Sequence, residues 1–315
     1  MRQLIERVPI PLAGVMLAFA ALGNFMKKTT VPGWFIPELI SVLLLILLLL
    51  KLAMFPRMVE NDMRFGAVAG ASGAFSMGLM YLGACAGGFS HAAGAVIWYA
   101  GLLIHVLLIV YFTVRFVLHF RMEQVYTTWF LVYVGIAAAS QAAASFGLAA
   151  AGQWIVWYGL AATLVLMVLI TVRYRRIPSE RPLRPLLSIY AAPVSLCLAG
   201  YLAAFPDKSR TLVLVLIILA QVFYVYGLIQ ALCMIAGPFS PAFSGFTFPF
   251  VSTAAVTYSS AVFLGTESMA GRILFPTAVA ENLIGAAFLL AVFVRYLIFL
   301  GGKNAQRMRS IGQES

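Results

Sequence analysis

Side chains able to do chemistry are few in this 315-residue chain, and they are scattered. Ser72 lies in Gly70-Ala71-Ser72-Gly73-Ala74, and His91 and His105 are its candidate bases. A serine nucleophile needs its histidine within hydrogen-bond reach. On one continuous helix Ser72 would lie about 18 Å of rise below the end where His91 sits, so those two cannot meet. His105 falls at a depth similar to that of Ser72, but between bulky Ile104 and Val106. Two acids stand inside apolar stretches: Glu38, just after Pro37, and Glu281, about 13 Å of helix rise from Arg272. Each is a candidate proton-coupling group or half of a structural ion pair with Lys27, Lys28 or Arg272. The cysteines, Cys85, Cys197 and Cys233, occur singly, with no CxxC and no paired histidine, so neither a metal site nor a disulfide framework is indicated. There is no phosphate-binding glycine loop and no metal-ligand cluster, so no cofactor and no energy-coupled pump is expected.

The elements that hold these residues follow from composition. Hydrophobic residues make up 63% of the chain and charged residues 10%, against about 25% charged in a soluble domain. Such a chain needs lipid as solvent, where backbone groups must be satisfied internally. Long runs such as 39–50 indicate helices and not barrel strands. Ten spans are predicted, near 11–26, 34–54, 65–85, 92–114, 129–150, 153–172, 186–205, 211–235, 243–265 and 273–299. Together they make an all-α polytopic membrane protein with a single transmembrane domain over 1–315 and short tails at about 1–9 and 301–315. Arg2 and Arg7 before an apolar stretch with Ala18-Phe19-Ala20 resemble a cleavable leader, but the run continues through Phe25 and is expected to stay. The net charge of +11 sits in short loops and reads as topology, not as a nucleic-acid surface. Ten spans place 16 of the 21 Lys and Arg on the side of the termini, which predicts cytoplasmic ends.

The spans alternate in kind. Gly, Ala and Ser supply 12 of 21 residues in 65–85 and 12 of 16 in 135–150, but two of 15 in 39–53 and two of 20 in 211–230. Small residues let helices approach closely, while bulky aliphatic ones suit lipid. Five small-then-bulky hairpins therefore predict five inner helices within five outer ones, as a weak internal repeat. The inner five contain no Asp, Glu, Lys, Arg or His. They could enclose a pore, or merely pack tightly. Ser72, Ser76, Ser140, Ser145, Ser195, Thr247, Ser252 and Thr253 could line such a pore as donors to an anion, or bond the carbonyls of their own helices. With no fixed cation in the bore, selectivity would be weak and passage passive.

Several stretches resemble the tellurite-resistance/dicarboxylate transporter family, which includes the plant slow-type anion channels. Trp129-Phe130 with Tyr133-Val134-Gly135-Ile136-Ala137 is similar to its fifth span, Ala191-Ala192-Pro193-Val194-Ser195 with Ala199-Gly200-Tyr201 to its seventh, Thr247-Phe248-Pro249 to its ninth and Pro11-Leu12-Ala13-Gly14 to its first. The resemblance implies a homotrimer in a bacterial-type inner membrane, each protomer passing small inorganic or organic anions such as chloride, nitrate, sulfite, a C4-dicarboxylate or tellurite. It also implies that a phenylalanine, here Phe248, plugs the bore. Pro249 beside it predicts a kink that aims the ring inward. Phe19 and Phe75 could line the same lumen. The proline expected in the fifth span is missing, since 136–146 holds Ala and Ser instead.

Three other readings remain. The sequence around Ser72 resembles the serine motif of rhomboid intramembrane proteases, and His91-Ala92-Ala93-Gly94 faintly resembles their histidine motif. A proton-coupled carrier would use Glu38 or Glu281, and a receptor without transport would work through its loops, which are short.

Overall fold

The computed structural model describes residues 2–302, and these are helical with no strand. Eight stretches are long and apolar enough to cross a membrane. They fall into two kinds by burial. Gly66–Gly87, Arg181–Ala204 and Pro241–Leu264 are 67%, 78% and 72% buried, whereas Phe35–Met54, His91–Val117, Ala149–Arg176, Arg210–Met234 and Met269–Gly301 are 22–33% buried. The first kind is the small-residue set; the second presents Leu39, Leu103, Leu164, Ile218, Leu283 and similar side chains outward. In lipid such exposure is not unfavourable, because acyl chains are as apolar as leucine.

Two further apolar segments complete the buried set. Helix α2 (Leu12–Lys28) follows a short α1 (Arg2–Arg7) and is buried continuously from Leu12 to Gly23. Residues 129–148 form no continuous helix: α8 (Trp129–Tyr133) and α9 (Ala137–Ser140) are separate turns. The others are α3 (Phe35–Met54), α4 (Pro56–Asp62), α5 (Gly66–Ala71), α6 (Gly73–Gly87), α7 (His91–Phe112), α10 (Ala149–Arg176), α11 (Ala192–Ala204), α12 (Arg210–Met234), α13 (Phe248–Leu264) and α14 (Met269–Gly301). The buried elements touch in cyclic order, α2 with α6, α6 with α9, α9 with α11, α11 with α13, and α13 with α2. Helices α3, α7, α10 and α14 each pack against the buried neighbour in sequence, and α12 against the 181–191 turn, α11 and α13.

Glycine is what brings these backbones together. A Cβ on Gly94 would stand 2.4 Å from the Gly87 Cα, and one on Gly83 2.6 Å from the Trp98 amide nitrogen, so α6 and α7 meet backbone to backbone. A Cβ on Gly200 would lie 2.1 Å from Ser140 Oγ, which fixes α11 against α9.

The buried segments break at similar positions, and proline is not the sole cause. In 129–148 the Val134 and Gly135 N–H groups both donate to the Phe130 carbonyl, after which Ala137, Ala138 and Ala139 bond three residues back. One wide turn followed by tight ones shifts the register without the proline that the family resemblance led us to expect. Pro249 does not kink a continuous helix as its position in the ninth predicted span suggested. A 3₁₀ turn, Pro241–Phe246, ends at Thr247 with φ −107° and ψ −81°, and Pro249 then occupies the first turn of α13. There its missing N–H has no helical partner to lose. Pro193 does the same in α11, after a 3₁₀ stretch, Arg181–Ala191.

Hydrogen bonds knit each end of the bundle. At one end Arg7 Nη1 donates to the Gly302 carbonyl (2.7 Å), Ser240 to Pro182 (2.7 Å) and Arg295 to Gly237 (3.0 Å). At the other Lys27 donates to Cys85 (3.2 Å), Tyr99 to Phe146 (2.7 Å) and Arg210 to Leu264 (3.2 Å). The first and last described residues thus lie at the same end.

Candidate functional site

A cavity of about 360 Å³ opens at the Lys27 end. Its wall is drawn from the five buried segments: Ala21, Asn24 and Lys27 of α2, Met80 and Tyr81 of α6, Ala138 and Gln141 beside α9, Leu196 and Ala199 of α11, and Ser252, Val256 and Ser259 of α13. A second cavity of only about 20 Å³ is lined by Pro11, Gly14 and Leu17, by Ala71 and Ala74, by Thr128 and Leu131, by Leu186 and Ile189, and by Ser244, Phe248 and Pro249. These come from the same five stretches, nearer the Arg7 end. The smaller space holds about one water.

Phe248 links the two. It lines the small cavity and is buried, and its ring meets Tyr81, which lines the large one, edge-on with centroids 6.1 Å apart. The sequence reading did not single out Tyr81. Its hydroxyl accepts a hydrogen bond from Gln141 Nε2 (2.8 Å). Gln141 and Asn24 were legible signals of another kind, as lone amides in otherwise apolar stretches. Asn24 Nδ2 lies 2.9 Å from Glu38 Oε1, 3.0 Å from the Ala20 carbonyl and 3.1 Å from the Tyr81 carbonyl.

The other anticipated lining residues are dispersed. Ser252 does line the large cavity, with its hydroxyl donating to the Pro249 carbonyl (3.0 Å). Ser195 and Thr253 bond each other (2.8 Å) and the carbonyls of Ala191 and Pro249. Thr247 donates to Ser244 (2.7 Å) and Gly14 (3.2 Å), and Ser140 to Ala137 (2.6 Å). Ser145 is exposed at the Lys27 end, where its carbonyl faces His91 Nε2 (3.0 Å). Phe19 is turned toward α14, with its ring 5.1 Å from that of Phe293. Phe75 and Ser72 line a different, apolar crevice of about 550 Å³ between α3 and α7, with Leu48, Ile104 and Tyr111. An inner helix has a back as well as a front, and these residues are on the back.

No serine–histidine dyad forms at Ser72, whose hydroxyl donates to Ala69 (2.7 Å). His105 instead meets Ser76 through Nδ1 (2.8 Å) and the Val132 carbonyl through Nε2 (2.9 Å). A carbonyl only accepts, so Nε2 carries the proton and Nδ1 receives that of Ser76. Both residues are fully buried against α6 and 129–136, with no cleft for a peptide. The pair is a helix tie.

Neither buried acid makes a salt bridge among the described residues, although Lys27 is close enough to Glu38 to act on it electrostatically. Arg272 pairs with Glu267 (3.5 Å), Lys27 is bonded to the Cys85 carbonyl, and Lys28 to Ser259 (3.2 Å). Glu38 takes a bond from Asn24 and lies beside Cys85 and Lys27, and Glu281 lies beside Thr257 and Gln221, with Tyr224 near. No group of three or more His, Cys, Asp or Glu able to hold a metal occurs among the described residues.

Eight helices long and apolar enough to cross a membrane, with buried small-residue segments around a cavity whose charged lining residues, Lys27 and Lys28, stand at its mouth, are the architecture of a multi-pass membrane protein. The family model for SLAC1, the voltage-dependent anion channel, matches residues 8–302, and the chain belongs to that family. The resemblance drawn from the sequence motifs is therefore correct, and membership supports anion channel or transporter function in general terms. No curated protein matches the chain significantly.

Proposed function

We propose that the five buried segments form a bore for small anions, surrounded by the five exposed helices, and that Phe248 closes it. Each protomer of a homotrimer would hold one such bore, in the plasma membrane with both termini cytoplasmic. One observation carries this reading: the two cavities share the same five walls, and the Phe248–Tyr81 contact stands between them. A constriction with room for about one water cannot pass an ion that keeps its hydration shell. Lys27 and Lys28 at the wide mouth attract anions, while the bore offers no bidentate cation that would hold one tightly.

The test is anion flux in liposomes. Phe248→Ala is expected to raise flux well above wild type, and Phe248→Leu to raise it less because more of the plug remains. An ordinary core phenylalanine would instead lose about 3–5 kcal/mol of stability on truncation, with no gain of flux. A well-folded Phe248→Ala protein with unchanged flux refutes the gate.

A second reading rests on the burial of two carboxyl groups, Glu38 and Glu281, neither in a salt bridge among the described residues, which suits a proton-coupled carrier of dicarboxylates or oxyanions. It requires flux that follows an imposed pH gradient and loses that response in Glu38→Gln or Glu281→Gln.

A further inference from the structure

The floor of the large cavity carries donors with no acceptor of their own. The hydroxyls on the α13 wall are spent: Ser252 donates to Pro249 and Ser259 to Ala255 (3.0 Å). The Asn24 amide nitrogen is occupied by three oxygens, one of them from Glu38, which stands behind Asn24 and outside the cavity lining. What is left is the contact between Tyr81 and Gln141. A tyrosine hydroxyl has one proton, a glutamine amide two. With Gln141 Nε2 donating to the hydroxyl oxygen, the Tyr81 proton has no acceptor among the described residues, and neither has the second amide proton. Turning the amide over, an orientation that heavy atoms alone do not distinguish, would satisfy the Tyr81 proton on Oε1 and leave both amide protons unused. In either orientation the pair holds a surplus of donors at the cavity wall.

We propose that Tyr81 and Gln141 form a binding subsite for a small monovalent anion of halide or nitrate type, immediately on the Lys27 side of Phe248. The proposal deepens the reading of the bore as an anion path. The pair sits about one helical turn below the Lys27–Cys85 contact, roughly 6 Å of rise from Cys85 to Tyr81. Lys27 and Lys28 would gather anions at the rim, and neutral O–H and N–H donors would replace part of the hydration shell deeper in. Neutral donors can do this for a singly charged ion. The few donors of this pair offset a much smaller share of the desolvation of a dianion, which needs more donors or cations. The subsite should therefore disfavour sulfate, sulfite dianion and dicarboxylates.

The experiment is bromide NMR line broadening on detergent-purified protein with the gate intact, which does not depend on conduction. Wild type is expected to show saturable broadening that chloride and nitrate displace and sulfate does not. The Tyr81→Phe/Gln141→Leu double variant should bind bromide at least about tenfold more weakly, the loss expected for two neutral hydrogen bonds. Tyr81→Phe keeps the ring against Phe248, so thermal unfolding should be close to wild type. Should the double variant fold poorly, each single variant is expected to weaken binding by about threefold. No saturable broadening in wild type, displacement by sulfate, or unchanged affinity in folded variants would overturn the subsite. So would affinity lost in Lys27→Gln/Lys28→Gln and retained in Tyr81→Phe/Gln141→Leu, which would place the anion at the rim. Silent flux in Phe248→Ala bears on the gate and leaves the binding result standing.

Discussion

Ser72 and Ser76 are four residues apart on the small-residue stretch and differ in what their hydroxyls do. Ser72 bonds the carbonyl of Ala69 in its own turn, so Ser72→Ala removes a local bond and should leave flux intact, at a cost below about 1 kcal/mol. Ser76 ties α6 to His105, which in turn ties α7 to Val132. His105→Leu leaves that buried carbonyl unpaired and should cost about 1–3 kcal/mol, read as a lower unfolding temperature in detergent. Conduction through an opened Phe248→Ala bore should be unaffected, because His105 faces away from it. A change in anion selectivity in His105→Leu would contradict that placement. The serine motif was visible in the sequence, but its partner was not, since period 3.6 decides which serine of a Gly/Ala/Ser run meets which helix.

Among the elements, the α6–α7 hairpin crosses backbone to backbone, with Gly83 and Gly87 against Trp98 and Gly94. Gly94→Val puts a side chain where the Gly87 backbone stands and should force the two helices apart. The expected result is loss of folded protein from the membrane fraction. Gly301→Ala, with nothing within 4 Å of its added Cβ, is the control and should express as wild type. Equal yields of the two variants would mean that the helices are not packed backbone to backbone. The small-residue character of 65–85 announced close packing, but the partner of each glycine is a property of the crossing and had no signal in the sequence. The broken path of 129–148 was also hidden. Its Ala residues favour a regular helix locally, and at the wide turn a Cβ on Gly135 would meet the Leu131 carbonyl at 2.0 Å, with Met77 and His105 at 2.8 and 3.0 Å, so glycine is required there.

For the whole molecule, the bond between Arg7 and Gly302 places both described ends together, as an even number of crossings demands. Cysteines introduced at Asn61 and Ser179 are expected to label from the cytoplasmic side of inside-out vesicles, and one at Asp207 from the other. Labelling of Ser179 and Asp207 from the same side would overturn ten crossings. A cysteine near the C-terminus should label with the first pair; residues 303–315 lie outside those described. The same even count underlies the charge bias, since adding or removing one crossing would redistribute the 21 Lys and Arg between the two faces.

By itself the sequence determined the solvent, the all-helical class and which long apolar stretches are buried and which exposed. Each is a sum over many residues: 63% apolar content requires lipid, and runs rich in Gly, Ala and Ser or in Leu, Ile and Val sort helices into buried and exposed whatever their exact packing. Its motifs also carried the family and pointed to Phe248. Only the tertiary structure decided direction and pairing. It turned Phe19 toward α14 and Phe75 toward α3 and α7, left Glu38 and Glu281 without a salt bridge among the described residues, and set Tyr81, bonded to Gln141, beside Phe248. Those facts depend on helix rotation, on the register shifts at 134–136 and 247, and on contacts between residues about 30 to 270 positions apart. No local pattern in a chain of small and aliphatic residues encodes a rotation, because every face of an inner helix is apolar and only the neighbours distinguish front from back.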